Sequence, residues 1–203
     1  MTQYTIKKVS GAPDWSKIET LNMTHKYFET PAHTSAYAQI CYDDERIYVH
    51  LSSTEPEVRA VETDVLGSPC EDSCLEFFFC PMENDNRYFN IEYNLNKCLY
   101  LGFGSGIADL VRLVRPDRSN YNDLLSPETI RTETGWEIFY SVPFEFIRRF
   151  FKDFEVYSGK RIKANCYKCG DLQKHENYLA WSPIVGEPFK FHRPECFGTM
   201  IFE

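Results

Sequence analysis

The sequence lacks the features that mark membrane-spanning and exported proteins. No run approaches the ~20 consecutive apolar residues that a membrane helix requires. The N-terminal stretch MTQYTIKKVSGAPDW contains no apolar segment of the length found in secretory signals, about 7–15 residues. We therefore expect a cytoplasmic location if the chain is complete, and an extracellular location if a leader has been removed.

Positive charge is also scarce. Thirty Asp and Glu residues outnumber 22 Lys and Arg residues, and the formal net charge is -8. Such a surplus of negative charge repels the phosphate backbone of a nucleic acid. Together with the missing membrane helix, this balance predicts that neither nucleic acid nor a membrane is a partner.

The eight cysteines lack the spacing of a structural zinc site. Structural zinc takes four nitrogen or sulfur ligands, which normally come from two tight pairs. Cys166 and Cys169 form one such pair, but the remaining candidates, His175, His192 and Cys196, are scattered. The other thiols lie in apolar, strand-like runs, where a free cysteine behaves as a small hydrophobe. We expect reduced, mostly buried thiols, and we assign no metal.

What the sequence does contain is a repeated alternation of side chains with a period of two. Eight short runs rich in aromatic and β-branched residues are separated by clusters of Gly, Pro, Asn and Asp. These runs are YAQICYD, RIYVHLSS, DSCLEFFFCP, RYFNIEYNLN, CLYLGFG, GWEIFYSVPF, RIKANCYKCG and CFGTMIFE. They predict an all-β fold, an antiparallel β-sandwich of the jelly-roll-like type, in a single domain over residues 1–203.

One segment departs from that alternation. In FEFIRRFFKDF, residues 144–154, the apolar residues Ile147, Phe150, Phe151 and Phe154 recur at i, i+3, i+4 and i+7. This spacing predicts a short amphipathic helix packed on the sheet. The sandwich is therefore expected to carry one or two short helices.

Two neighbouring predicted strands each have one apolar face and one polar face. In CLEFFFC, Glu76 interrupts a run of seven otherwise apolar residues, and in YFNIEYN the alternate positions are Tyr88, Asn90, Glu92 and Asn94. A sheet face turned to water explains Glu92 and Asn94 as well as a binding face does. Glu76 is more informative, because burying a carboxylate without a partner such as Arg87 is costly. The hairpin therefore predicts a concave polar face.

A later strand and a turn extend this interpretation. In RIKANCYKCG, Asn165 shares a face with basic residues, and Lys168 ends the strand near the loop that leads to Trp181. Core packing and ligand stacking are nearly balanced explanations for Trp181. Its Trp-Ser-Pro context favours stacking, because proline fixes the backbone and an indole face suits the C–H face of a pyranose. We expect Trp181 at the rim of the polar face, while His192 is equally consistent with bracing the loop and with contacting a ligand.

The order of these motifs resembles the family 9 carbohydrate-binding modules, in particular their stand-alone relatives in the broader DOMON-like sandwich group. The resemblance extends from about Ala36 to Phe202 and rests on DSCLEFFFCP, RYFNIEYN, SVPFEFI, ANCYKCGD, LAWSP and FHRPECFGTMIF. It implies a β-sandwich that binds the ends of saccharide chains between aromatic rings, without catalysis. It further implies a link to polysaccharide degradation, as of xylan, and a glycoside hydrolase as partner.

Carried over by motif position, the resemblance implies six sugar-binding residues: Glu76, Tyr88, Asn90, Asn165, Lys168 and Trp181. Asp72 and Arg87 are adjacent candidates. The family's second stacking aromatic has no counterpart here, since Thr54 to Ser73 contain no Phe, Tyr or Trp. Members of the family can hold structural calcium, but the sequence contains no compact ligand loop of the EF-hand kind. No cofactor is assigned.

Two other functions stay open at this point. Glu76 with Glu92 or Asp72 would supply the carboxyl pair of a glycoside hydrolase, although such a pair is a poor discriminator by spacing alone. A DOMON-type haem or redox protein would need axial ligands such as His50 with Met82 or Met200. Carbohydrate binding without turnover remains the favoured prediction.

Overall fold

The structure, a computed structural model, describes residues 2–203 and is a β-sandwich of two sheets. The strands are β1 Gln3–Lys8, β2 Leu21–Asn22, β3 His25–Tyr27, β4 Ser35–Tyr42, β5 Arg46–Thr54, β6 Cys74–Cys80, β7 Tyr88–Asn94, β8 Leu99–Gly104, β9 Val111–Arg112, β10 Glu128–Arg131, β11 Gly135–Pro143, β12 Arg161–Cys169, β13 Tyr178–Ala180 and β14 Gly198–Phe202. The helices are α1 Asn122–Leu125 and α2 Phe144–Arg148, and single 3-10 turns occur at Trp15–Lys17, Pro69–Glu71 and Pro194–Cys196.

The front sheet has the strand order β14-β12-β6-β7-β8-β9, with β13 and β3 added beside the end of β12. The back sheet has the order β10-β11-β5-β4, with β2 paired to β4. All eight runs predicted from the alternation contain a strand, and neighbours within each sheet are antiparallel. The predicted sandwich is therefore confirmed.

Strand β1 joins the two sheets and is the exception to the antiparallel pairing. Residues Gln3–Ile6 run parallel to β14 of the front sheet, while Lys7 and Lys8 pair in parallel with β4 of the back sheet. Tyr4 and Ile6 of β1 point into the core. One strand thus closes one side of the sandwich.

The core between the sheets is built from the apolar positions of the alternating strands. Leu75, Phe77 and Phe79 of β6 meet Val49 and Leu51 of β5 in one continuous cluster, and all five are fully buried. Complete burial of such side chains stabilises a fold by about 1.5–3 kcal/mol each. The alternation therefore determines which face of each strand packs in the core and which face lies on the outside of the sandwich.

The predicted helix packs as expected but is shorter than the pattern indicates. Helix α2 spans Phe144–Arg148, and the chain then continues in turns through Phe151 and Phe154. The rings of Phe150 and Phe151 still pack against Phe89 of the front sheet. No helix within residues 2–203 is long and apolar enough to cross a membrane.

The outer face of the front sheet is partly covered by residues 182–197, here called the covering segment. Phe191 of this segment stacks on Tyr167 of β12 with ring centroids 4.2 Å apart, and Phe197 packs against Phe78 of β6. The covering segment forms a second, smaller apolar cluster on this face. It leaves an opening at the end of the sheet where β6, β7 and β12 carry polar side chains.

All eight cysteines are free thiols, in accord with the expectation of reduced, mostly buried cysteines. Cys166 and Cys169 do not act as a pair, because three residues of a strand place them on opposite faces. Cys166 lies in the sandwich core, whereas Cys169 faces the outer side of the front sheet.

Candidate functional site

The opening beside the covering segment is a cleft of about 460 Å³ on the outer face of the front sheet. Its floor is formed by β6, β7 and the end of β12, and one wall is formed by β3, β13 and the covering segment. The lining residues are Phe28, Cys70, Glu76, Glu92, Ile107, Cys169, Asp171, Tyr178, Phe189, Lys190, Phe191 and His192. The cleft therefore combines acidic groups, thiols and aromatic rings.

Two glutamates lie side by side on the floor. Glu76 of β6 is directly opposite Glu92 of β7, and both are nearly fully buried. Directly opposed residues of antiparallel strands have Cβ atoms roughly 4.5–5.5 Å apart. Burial raises the pKa of Glu92 to about 8, and burial together with the neighbouring Glu92 raises the pKa of Glu76 well above its usual range. At neutral pH the pair is therefore mainly uncharged, and each carboxyl can both donate and accept a hydrogen bond.

Asn90 orients the second of these carboxyls. Its Nδ2 donates to Oε1 of Glu92 over 2.5 Å, and Asn90 is completely buried. Its Oδ1 has no protein partner. Gly102 on β8 leaves room for this amide, since a Cβ at that position would lie 1.8 Å from Oδ1 of Asn90. The glycine and the asparagine are thus one packing unit beside Glu92 on the outer face of the front sheet.

Cys169 contacts the other carboxyl. Its Sγ donates to Oε1 of Glu76 over 2.9 Å, and Cys74 is its direct neighbour across β6 and β12. Cys70, on the 3-10 turn before β6, lines the cleft beside them. Burial raises the pKa of Cys74 to about 12, so the thiol is protonated at neutral pH.

The wall of the cleft is aromatic. Phe28 follows β3 and has 71% of its surface exposed, while its ring contacts Tyr178 and Phe189 edge-on at centroid distances of 5.4 and 4.9 Å. Its backbone is left-handed, with φ of 54°, which is a strained conformation for a bulky side chain. Phe28 is therefore displayed to solvent by a constrained backbone, and no core contact accounts for its position.

His192 and Ile107 complete the rim. The pKa of His192 is lowered to about 4 by burial and by the nearby Lys190, so the ring is neutral at neutral pH. Its Nδ1 lies 2.8 Å from the hydroxyl of Tyr88. Ile107, with 51% exposed surface, lies on a loop that Asp109 holds by accepting hydrogen bonds from Ser105 and Gly106.

The prediction that Trp181 is displayed at the rim is wrong. Trp181 is 7% exposed and belongs to the sandwich core, where it meets the ring of Tyr4 edge-on at 6.5 Å. Gly198 lies directly against it, since a Cβ there would be 2.7 Å from the indole. The Trp-Ser-Pro turn does fix the indole, but it fixes it inward.

Two other residues predicted to bind sugar, Lys168 and Asn165, have partners within the protein instead. Lys168 is completely buried on the core face of β12, where its ammonium lies 3.2 Å from Glu55 and donates to Asn177 over 2.9 Å. Asn165 is on the outer face but exchanges hydrogen bonds with the backbone of Ser182. Lys168 therefore stabilises a buried ion pair, and Asn165 holds the start of the covering segment.

Asp72 and Arg87 also lie away from the cleft. The fully buried carboxylate of Asp72 pairs with Arg59 and accepts hydrogen bonds from the backbone of Val61 and Glu62, so it anchors that loop. Arg87 pairs with Asp85, and its guanidinium lies over the ring of Phe151 at 4.9 Å. Both expectations of a sugar contact are corrected by these positions.

Of the predicted residues, Glu76 lines the cleft, while Asn90 and Tyr88 support it through Glu92 and His192. Sequence reasoning missed the aromatic wall because its members come from segments far apart in the chain. The ligand pairs of the haem alternative are not brought together, since His50 is on the outer face of the back sheet, Met200 is in the core and Met82 packs against the core from a loop of the front sheet.

The chain is similar to solved structures of one kind. A candidate carbohydrate-binding protein from Bacteroides uniformis is 28% identical, with a TM-score of 0.83, over 100% of this chain and 99% of that one. Two structures of a carbohydrate-binding module family 9 protein from Caldicellulosiruptor kristjanssonii, in complex with cellotriose and with glucose, are each 11% identical with a TM-score of 0.70. Both alignments cover 99% of this chain, and 93% and 95% of those chains respectively.

No curated protein matches this sequence at a significant level. The family model described as carbohydrate-binding family 9, by contrast, matches residues 10–202, which is nearly the whole chain. The sandwich and the order of its motifs agree with that match. The chain therefore belongs to carbohydrate-binding family 9.

Proposed function

We propose that the cleft binds the terminal sugar units of an oligosaccharide without catalysis. The observation that carries this proposal is the exposed ring of Phe28 facing a floor of buried, hydrogen-bonding carboxyls within one cleft. A pyranose offers an apolar C–H face to an aromatic ring and hydroxyl groups to polar side chains, so it matches both surfaces. Family membership supports the same function.

The two glutamates suit hydroxyl groups in particular. An uncharged carboxyl donates through its O–H and accepts through its carbonyl oxygen, and each sugar hydroxyl does the same through one oxygen. Because Glu76 and Glu92 stand on adjacent strands, two neighbouring hydroxyls can be held at once. The volume of about 460 Å³ lies in the lower part of the range for ligand pockets, about 300–1,000 Å³, which favours a chain end over a long internal stretch.

The pair supports a glycoside hydrolase less well. That chemistry needs one protonated and one ionised carboxyl, or two that separate in pKa. Burial raises the pKa of both Glu76 and Glu92, which leaves neither as an ionised nucleophile or base at neutral pH.

Calorimetric titration tests the proposal. Glucose, cellotriose, xylan-derived oligosaccharides and their reduced-end derivatives are titrated into the wild type, Phe28→Ala, Glu76→Gln and the control Tyr157→Ala. Tyr157 is a matched control because it is an exposed aromatic, 62% accessible, outside the cleft. We expect saturable heat that is lost in the first two variants and kept in the control. Equal binding by all four proteins, or no binding by the folded wild type, contradicts the proposal.

A turnover assay on the same samples separates binding from hydrolysis. Product release that is lost in Glu76→Gln would replace the binding function by a glycosidase. The implied partner, a polysaccharide-degrading enzyme, is tested by measuring whether the protein raises the rate of a glycoside hydrolase on insoluble xylan or glucan. Phe28→Ala serves as the negative control in that assay.

A further inference from the structure

The floor of the cleft brings together two thiols and one carboxyl, donor types that zinc binds in proteins. Cys74, Glu76 and Cys169 each direct one donor atom to the same point, and the two thiol sulfurs and a carboxylate oxygen lie within 4.8 Å of one another. All three residues are buried. They come from two adjacent strands, so a rigid hydrogen-bonded ladder fixes their spacing.

We propose that Cys74, Glu76 and Cys169 form a binding site for a zinc-like divalent cation beneath the sugar cleft. Two sulfurs and one oxygen are the donors that zinc accepts, at about 2.3 Å for sulfur and 2.0–2.2 Å for oxygen. Donors at these lengths around a tetrahedral ion lie somewhat closer together than 4.8 Å, so small rotations of the side chains close the site. This inference shares the carboxyl of Glu76 with the proposed sugar site but is tested separately from it.

The donors are available because the fold uses them little. The Sγ of Cys169 makes its short contact to Glu76 itself, at 2.9 Å, and its other contact, to the carbonyl of Cys70, is long at 3.9 Å. By contrast, Cys166 is packed in the core on the opposite face of β12. The cation would replace the protons of two thiols and one carboxyl, which pass to solvent.

The fourth coordination position faces the cleft. Glu76 and Cys169 both line the cleft, and so do Cys70 and Asp171. Three protein ligands with one position left for water or a bound molecule is the arrangement of an open zinc site.

No spacing in the sequence indicates this site, since its ligands are not arranged in tight pairs. Cys74 and Glu76 are two residues apart on β6, whereas Cys169 is more than ninety residues further along the chain. Only the antiparallel pairing of β6 with β12 places Cys169 opposite Cys74.

Cobalt titration of the reduced, chelator-treated full chain tests the site, because Co²⁺ bound by thiolates gives a sulfur-to-metal charge-transfer band and strong visible absorption when tetrahedral. We expect one Co²⁺ per chain, with both features bleached by added Zn²⁺. Cys169→Ser and Cys74→Ser should abolish the charge-transfer band. Glu76→Gln, which preserves size, should weaken the affinity by at least the ~10–100-fold that loss of an outer-shell partner causes.

Cys41→Ser is the matched control, since Cys41 is an equally buried thiol in the back sheet. It should keep the wild-type spectrum, and circular dichroism verifies that each variant is folded. The inference is overturned if the reduced wild type shows no charge-transfer band at stoichiometric Co²⁺. It is also overturned if folded Cys169→Ser and Cys41→Ser give the same band. Sugar binding is not part of this measurement, so the two proposals fail separately.

Discussion

Gly102→Ala is predicted to impair the binding site through its neighbour Asn90, without touching a lining residue. A Cβ at Gly102 would lie 1.8 Å from Oδ1 of Asn90, whereas ordinary van der Waals contact begins at 3.4 Å. The amide of Asn90 must therefore move by about 1.6 Å, or β8 must shift away from β7. Either movement breaks the 2.5 Å hydrogen bond from Asn90 to Glu92.

Two measurable losses follow from that displacement. Overpacking of a tight interior lowers the free energy of unfolding by about 1–3 kcal/mol. For a chain of this size, each kcal/mol lowers the melting temperature by about 2–4 °C. A Glu92 carboxyl that has lost its orienting hydrogen bond weakens sugar binding by about 1–3 kcal/mol, which is roughly 5- to 150-fold in Kd.

Thermal unfolding and calorimetric titration with cellotriose measure both effects. Gly106→Ala is the control, because a Cβ at Gly106 meets nothing within 4 Å and the residue follows the same strand. The double variant Asn90→Ala/Gly102→Ala removes the clashing amide, so it should regain stability relative to the sum of the single changes while its binding stays weak. Wild-type stability and affinity in Gly102→Ala would refute the packing argument.

Three further predictions concern Phe28, Trp181 and His192. The free energy of unfolding of Phe28→Gly, measured by urea denaturation, should be about 1 kcal/mol higher than that of Phe28→Ala, because glycine tolerates the positive φ that strains other residues. The reverse order would contradict the argument that the backbone at Phe28 is strained. Trp181→Ala should lower the free energy of unfolding by about 3–5 kcal/mol, as for a core aromatic, and a loss below about 1 kcal/mol would place the indole at the surface instead. His192 has a pKa of about 4 in the folded protein, below its ordinary value near 6.5. Its contribution to the free energy of unfolding is therefore complete above pH 6.5, and about 2–3 kcal/mol of stability is lost as the pH falls toward 4. Urea denaturation between pH 7 and 4.5 should show a shallower loss in His192→Gln than in the wild type, and parallel losses would contradict the assignment.

Strand alternation was enough to predict the sandwich and the polar face of its central hairpin. Eight strands follow from it, and so does the position of Glu76 on the outer face of β6. The other six strands, β1, β2, β3, β9, β10 and β13, were not predicted. Four of them, β2, β3, β9 and β13, have only two or three residues, which cannot display a period. The local sequence pattern thus predicts the main strands of the two sheets but not the short strands β3 and β13 that border the cleft.

The site residues were harder to predict because side-chain direction and distant partners decide their roles. Lys168 follows Tyr167 in β12 and so must face the core, where its charge is tolerated only because Glu55 comes from more than a hundred residues away. Phe28 lies in an unremarkable segment, and its display depends on a positive φ that no periodicity encodes. Trp181, which its Trp-Ser-Pro context predicted as a stacking residue, lies in the core, whereas Phe28, which no pattern singled out, is exposed in the cleft.

The junction at β1 has a consequence for how the protein is made. The backbone of Gln3–Ile6 pairs with Thr199–Phe202 of β14, while Lys7 and Lys8 pair with β4 and the hydroxyl of Tyr4 contacts the backbone of Ile40 in β4. About 190 residues separate Lys8 from Gly198, and a ribosome adding ~5–20 residues per second needs roughly 10–40 s to supply them. During that interval the backbone of Gln3–Ile6 stays without its β14 partner, so the nascent chain presents an unpaired strand edge to chaperones until β14 emerges.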